Sequence, residues 1–133
     1  MVLVDTSVLI GYLRGLEGKP YQTLEDMIDR DIPFGINNFI YQETLQGAKT
    51  EGDFSRLKEY LETLPFYELN EGLRSFERAA SMYFTCRKAG ITIRSTIDLL
   101  IAETAIENNL YLLHHDSDFE NLASVVKDLR LYL

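Results

Sequence analysis

Leu3-Val4-Asp5-Thr6-Ser7-Val8-Leu9-Ile10 is a short apolar run that ends in one carboxylate, meets a hydroxyl pair and resumes at once as an apolar pattern. Such a stretch reads as a buried strand delivering Asp5 to the rim of a sheet, with Thr6 or Ser7 capping the helix that follows. A carboxylate at that point is either a metal ligand or another cap, because helix N-termini attract Asp through the dipole alone. Three further acids arrive later, each just after a strand pattern or on the helix beginning there. They strengthen the ligand reading.

The helix after Asp5 covers about residues 6–14 and stops near Gly15. Tyr21, Leu24, Met27 and Ile28 carry a helical period across about 20–30, and Asp31-Ile32-Pro33 breaks it before a short strand at Phe34-Gly35-Ile36. Asn37 or Asn38 caps a third helix at about 39–49. Gly52 or Asp53 opens a fourth, with Phe54, Leu57, Tyr60, Leu61 and Leu64 on one face. Pro65 ends it, and Phe66-Tyr67-Glu68-Leu69 reads as a third strand. Asn70 caps the longest helix, about 71–89, which Gly90 closes. Ser95 starts a sixth helix whose run Leu99-Leu100-Ile101-Ala102 leaves little polar face, so it should be deeply buried. Leu110-Tyr111-Leu112-Leu113 is a fourth strand, Ser117 caps a short helix, and Leu129-Arg130-Leu131 closes the sheet. Short apolar strands alternating with helices predict a three-layer α/β/α sandwich with a mainly parallel central sheet, one domain over 1–133. In such folds ligands sit beyond the carboxyl ends of the strands, where the strand order reverses.

Bulk properties narrow the function classes. A chain of 133 residues, 46% hydrophobic and 26% charged, is long enough for a real core and is wrong for disorder. No uncharged apolar run approaches the ~18–20 residues a membrane span needs, and the N-terminus lacks the basic region and cleavage site of a signal peptide. The single cysteine, Cys86, has no internal disulfide partner, which suits a cytoplasmic protein. His114 and His115 are too few for a His-dominated metal centre. A net charge of −8 argues against indiscriminate nucleic-acid binding. It fits a nuclease whose carboxylates are offset by bound cations, and equally an acidic pocket that takes arginines from a partner.

Asp5 follows strand one, Glu43 lies in the second turn of the helix after strand two, Asp98 in the first turn of the buried sixth helix, and Asp116 after the fourth strand. On a parallel sheet all four project toward one rim, where they repel and cannot all ionise without cations. Hard oxygen ligands of this kind suit Mg²⁺ or Mn²⁺, which lower the pKa of a bound water and orient a phosphodiester. Each acid has a plainer alternative. Ser95-Thr96-Ile97-Asp98 fits a capping box, Ser117-Asp118-Phe119-Glu120 fits another that leaves Asp116 as a flanking loop acid, and Glu43 suits a solvated helix face. Asp118 is either a supporting acid behind the ligands or a helix-start charge. Among the bases, Arg87, Lys88, Arg94 and Arg14 could hold phosphates, or, for Arg87 and Lys88, answer the helix dipole. No Gly-rich phosphate loop, GxGxxG or GxSxG elbow is present.

Taken in order, Val4-Asp5-Thr6-Ser7-Val8-Leu9-Ile10, Glu43-Thr44-Leu45-Gln46-Gly47, Thr96-Ile97-Asp98-Leu99-Leu100-Ile101-Ala102 and Leu113-His114-His115-Asp116-Ser117-Asp118-Phe119 make a chain that resembles the PIN-domain ribonucleases. More narrowly, it is similar to the VapC-type toxins of bacterial and archaeal toxin–antitoxin pairs, with His115 standing where many relatives carry a polar or basic residue. The resemblance implies that Asp5, Glu43, Asp98 and Asp116 bind metal and carry catalysis, with Thr6 a supporting hydroxyl. It implies endonucleolytic cleavage of RNA through water activated by Mg²⁺ or Mn²⁺, leaving a 5′-phosphate and a 3′-hydroxyl. A homodimer silenced by a cognate antitoxin in the active-site groove is implied as well. Two rival readings stand beside it: a Mg²⁺-dependent phosphatase or DNA nuclease on a similar sheet, and a non-catalytic interaction domain that binds a basic peptide in its acidic groove.

Overall fold

A run of apolar residues with no polar face is stable only in the interior. The computed structural model, which describes residues 1–132, buries Val2–Val4 as strand β1. Helices α1 (Thr6–Leu13) and α2 (Lys19–Asp29) lead to β2 (Phe34–Gly35). Four helices follow, α3 (Asn38–Gln46), α4 (Glu51–Leu61), α5 (Leu73–Lys88) and α6 (Thr96–Glu107), before β3 (Tyr111–Leu113), α7 (Ser117–Val125) and β4 (Arg130–Leu131). The strand order is β2-β1-β3-β4 and every pair is parallel, with Val2 opposite Phe34 and Val4 opposite Leu113. Chain order therefore turns left from β1 to β2 and right from β3 to β4. Right-handed crossovers then put α1 and α2 on one face and α7 on the other. The reversal falls between β1 and β3, so Asp5 and the residues after Leu113 flank the crevice where such sheets bind ligands. This is the α/β sandwich expected from the sequence.

The core runs through Leu3, Leu9, Leu24, Ile36, Ile40, Ile101, Leu112 and Phe119, all fully enclosed. Each contributes roughly 1.5–3 kcal/mol of apolar burial. Helix α6 is buried without interruption from Leu99 to Ala105, as its apolar composition requires. Gly11 lets α1 approach α2 closely, since a β-carbon there would occupy the space of the Tyr21 ring. Asn37 fixes the other side of the crevice. Its Oδ1 accepts the Ile40 N–H at 2.9 Å to cap α3, and its Nδ2 donates to Thr104 Oγ1 at 3.1 Å, tying α3 to α6.

Several local expectations fail for identifiable reasons. Phe66-Tyr67-Glu68-Leu69 is not a sheet strand: Ile36 N–H donates to the Pro65 carbonyl and Tyr67 N–H to the Ile36 carbonyl, and a single bridge between Ile36 and Phe66 is all that forms. Neither Thr6 nor Ser7 caps α1. Asp5 does, accepting the Ser7 N–H at 3.0 Å. The start of α7 repeats the pattern, with Asp116 rather than Ser117 as the cap. Thr50, not Gly52 or Asp53, opens α4 through its hydroxyl on the Asp53 N–H. Helix α5 begins at Leu73 after Gly72, whose φ of 56° is open to glycine, so Asn70 is not its cap.

Candidate functional site

Asp5 is the last extended residue of the β1 path, held there by its own N–H donating to the Leu113 carbonyl at 2.9 Å. Its carboxylate turns back to cap α1 and accepts the Ser7 hydroxyl at 2.5 Å. Ser7 Oγ in turn accepts the His115 N–H at 3.0 Å, so one hydroxyl links the exits of β1 and β3. Glu43 comes from the α3 side and accepts the Thr6 hydroxyl at 3.0 Å. Asp98 enters from the first turn of α6. Ser95 occupies the cap position there but makes no side-chain cap hydrogen bond, so the expected capping box is not formed and Asp98 is left to face the crevice. Asp116 and Asp118 enter from the start of α7, and carboxylate oxygens of Asp98, Asp116 and Asp118 lie within 4.8 Å of one another.

The electrostatics record this convergence. Burial, and after it the charges of Asp5, Asp116, Glu43 and Asp118, together push the Asp98 carboxyl up to about 7. Asp5 is raised by burial, opposed by its bonds to Ser7 and Thr6 and reinforced by Asp116. Glu43 is raised by burial, opposed by the Thr6 hydroxyl and reinforced by Asp5. Five carboxylates thus share one field. The structure brings together Asp5, Glu43, Asp98 and Asp116, together with Thr6 and Asp118.

Arg94 is the cation that meets the acids. Its Nε donates to Asp118 Oδ2 at 3.2 Å, its N–H reaches the same oxygen at 3.2 Å, and its Nη2 lies 3.6 Å from Asp116 Oδ1. Asp118 is thereby a buried, paired acid behind the rim, while Arg94 itself is 71% exposed. The other bases singled out in the sequence serve elsewhere. Arg87 and Lys88 lie over the rings of Tyr83 and Phe84 at the end of α5, and Arg14 lines a separate cavity of about 480 Å³ between α1, α3 and α4. Ser7 was offered only as a cap, and its role as the strap between Asp5 and His115 was missed. A hydroxyl two residues after a strand-end Asp was the available signal.

Asp5 proves to be a cap and a member of the acidic group at once, and the two roles separate by substitution. Asn accepts the same amide proton but carries no charge, so Asp5→Asn should melt higher than the parent in chelator. Asp5→Ala loses the cap and should fall by about 1 kcal/mol, roughly 4 °C. Thermal denaturation of the two variants in chelator is the check, and an Asn variant that melts no higher than the parent would leave the cap as the only role of Asp5.

The PIN domain model matches residues 2–125, and the chain belongs to the PIN domain family. It is 29% identical over 126 residues to the VapC ribonuclease Mb1587 of Mycobacterium bovis and to ribonuclease VapC11 of Mycobacterium tuberculosis, covering 94% of this chain and 93% of each relative. Among solved structures it superposes on VapBC2 of Rickettsia felis bound to a promoter DNA fragment, with a TM-score of 0.73, 19% identity and coverage of 99% and 98% of the two chains. VapBC-1 of nontypeable Haemophilus influenzae gives a TM-score of 0.73, 20% identity and coverage of 99% and 97%. No helix among the described residues is long and apolar enough to cross a membrane.

Proposed function

We propose that this chain is a metal-dependent endoribonuclease toxin, a reading supported by its likeness to two mycobacterial VapC ribonucleases. The observation that carries the reading is the meeting of Asp5, Glu43, Asp98 and Asp116 at the strand reversal, in a field that holds Asp98 near neutrality until a cation replaces its proton. The donor set fits Mg²⁺ or Mn²⁺: all oxygen, carboxylate-rich, and partly open to water. Asp5 and Asp98 would hold the principal ion, with Glu43 and Asp116 completing the site directly or through water. A bound cation supplies a water of lowered pKa and charge stabilisation at the phosphodiester. The protein's own share is positional. Thr6 fixes the Glu43 carboxylate, Ser7 fixes Asp5 against the His115 backbone, and Arg94 holds Asp118 beside Asp116.

The partner reading follows the neighbours, which are solved as VapBC complexes. An antitoxin segment would lie along the cavity floored by Ile10, Leu13, Leu57 and Tyr60 and reach the acids with a basic side chain. A homodimer is supported by the exposed row Leu73, Phe76 and Phe84 on α5. A cytoplasmic location goes with the lone thiol of Cys86.

Purified chain free of partner should cut structured RNA in Mg²⁺ or Mn²⁺ and stop in chelator, leaving single-stranded DNA and a small phosphomonoester intact. Turnover of the monoester with RNA untouched would instead favour a phosphatase. Metal binding without any turnover would favour an interaction module.

A further inference from the structure

We propose that the cavity beside Asp116 is a subsite for a guanine nucleotide, the residue flanking the phosphodiester at the acidic rim; the inference rests on the nuclease reading of that rim. The cavity measures about 400 Å³ and lies between the start of α2 and the loop from β3 to α7. Lys19, His114, His115, Ser117, Glu120 and Tyr132 line it. Asp116 belongs both to this wall and to the acidic group, so the two spaces adjoin. They are also mechanically joined, because the His115 N–H holds Ser7 Oγ, which holds Asp5.

Single-stranded RNA is read by stacking splayed bases on aromatic or imidazole planes and by hydrogen bonds to their edges. His115 and Tyr132 offer such planes. Each is steadied edge-on by a tyrosine, His115 by Tyr21 at 5.8 Å between ring centroids and Tyr132 by Tyr111 at 6.2 Å. The polar groups decide which base. His114 Nδ1 accepts the Asp116 N–H at 3.1 Å, so in the neutral ring the proton sits on Nε2, a donor on a residue of the cavity wall. Glu120 is a pure acceptor, and Lys19 a pure donor. Guanine alone sets two adjacent donors, N1–H and the N2 amino group, beside two acceptors, O6 and N7. A carboxylate answers the first pair bidentately, and the imidazole donor answers the second, which leaves Lys19 to the phosphate. Adenine, cytosine and uracil each turn an acceptor toward Glu120 in the same pose. Lys19 is also the one cation of this wall able to hold a flanking phosphate in a chain of net charge −8.

Calorimetric titration of the whole chain in Mg²⁺ with guanosine, adenosine, cytidine and uridine 5′-monophosphates tests this, with the His114 and His115 imidazole NMR signals followed in parallel. Guanosine monophosphate should bind about tenfold more tightly than the other three, as one bidentate base contact provides, and should shift both imidazoles. Glu120→Gln should abolish most of that preference, and Lys19→Ala should weaken all four nucleotides alike. Equal binding of the four, unmoved histidine signals, or a preference intact in Glu120→Gln would overturn the assignment. Parallel RNA digestion separates the two readings. Guanine-selective binding without any cleavage sinks the nuclease and keeps the subsite, whereas cleavage indifferent to guanine on either side of the cut does the reverse.

Discussion

Asp98→Asn should reduce RNA cleavage by roughly 10³-fold while raising the melting temperature of the metal-free protein. The residue sits in the first turn of α6 with no capping role, and every neighbouring carboxylate acts on it. Its carboxyl, ordinarily near 3.8, stands at about 7 in the folded chain. The folded state therefore holds a proton that the unfolded state has released between those two values, and stability falls as pH rises through that window. By pH 8 the cost is about 2 kcal/mol once solvent screening at this half-exposed group is allowed for, and Asn removes it. Calorimetry in chelator should show the Asn variant melting roughly 5 °C above the parent at pH 8, with little difference at pH 4. On the proposed metal site, saturating Mg²⁺ should bind the folded parent only and reverse the order at pH 8. An active Asn variant, or one that melts below the parent in chelator, is incompatible with Asp98 as a ligand.

The second large effect lies at the far end of the same helix. Glu103 and Glu107 are one turn apart on α6, their side chains 2% and 5% exposed, and Glu71 stands beside them. One guanidinium serves all three: Arg78 lies 2.7 Å from Glu71, 3.1 Å from Glu103 and 3.6 Å from Glu107. Glu107 Oε1 accepts the Asn70 N–H at 2.9 Å, whereas Oε2 is buried without a hydrogen-bond partner. A proton on Glu103 completes this group by donating to Glu107. Burial and then Glu107 raise the Glu103 carboxyl to about 7, while Glu107, though burial opposes it, is held low by Glu103, Ser75, Asn70 and Arg78. The sign is the same as for Asp98: stability present at pH 4 is lost as pH climbs from about 4.5 toward about 7. Glu103→Gln donates an N–H to Glu107 at every pH. It should be roughly 1–2 kcal/mol more stable than the parent at pH 8, after allowance for screening, and near parity at pH 4. Mg²⁺ should separate the two groups, offsetting the Asp98 loss and leaving the Glu103 loss untouched. Denaturant titrations at both pH values, with and without Mg²⁺, are the measurement, and a Gln variant weaker than the parent at pH 8 would refute the shared proton.

What was legible in the sequence was whatever a local pattern determines. The uninterrupted apolar run at Leu3-Val4 and the polar-poor stretch Leu99–Ala102 could only be interior, and both are. The four acids were legible as candidates because each stood just after a strand pattern or on the helix beginning there. Caps were not, since Asp5, Thr6 and Ser7 are all good cap residues. The choice among them was made by β3, whose Leu113 carbonyl keeps Asp5 extended. Residues 66–69 alternate like a strand, yet only Ile36 offers them a partner beyond the two-residue β2. The pairing of Asp118 with Arg94 spans 24 residues and had no local signature. Glu103 did have one. A glutamate inside an otherwise apolar helix must find a proton or a cation, and that inference was open from composition alone.

Because Asp5 hangs on the β3 ladder by its own amide, and Asp116 caps the helix that leaves the same strand, these two carboxylates stay near each other with or without an ion. Chelation should then leave a folded molecule under internal tension, a drawn spring that a returning cation relaxes. Such a site needs no ordering step before capture, so metal uptake should be fast, and hydrogen exchange at Asp5 and Leu113 should scarcely change between the two states.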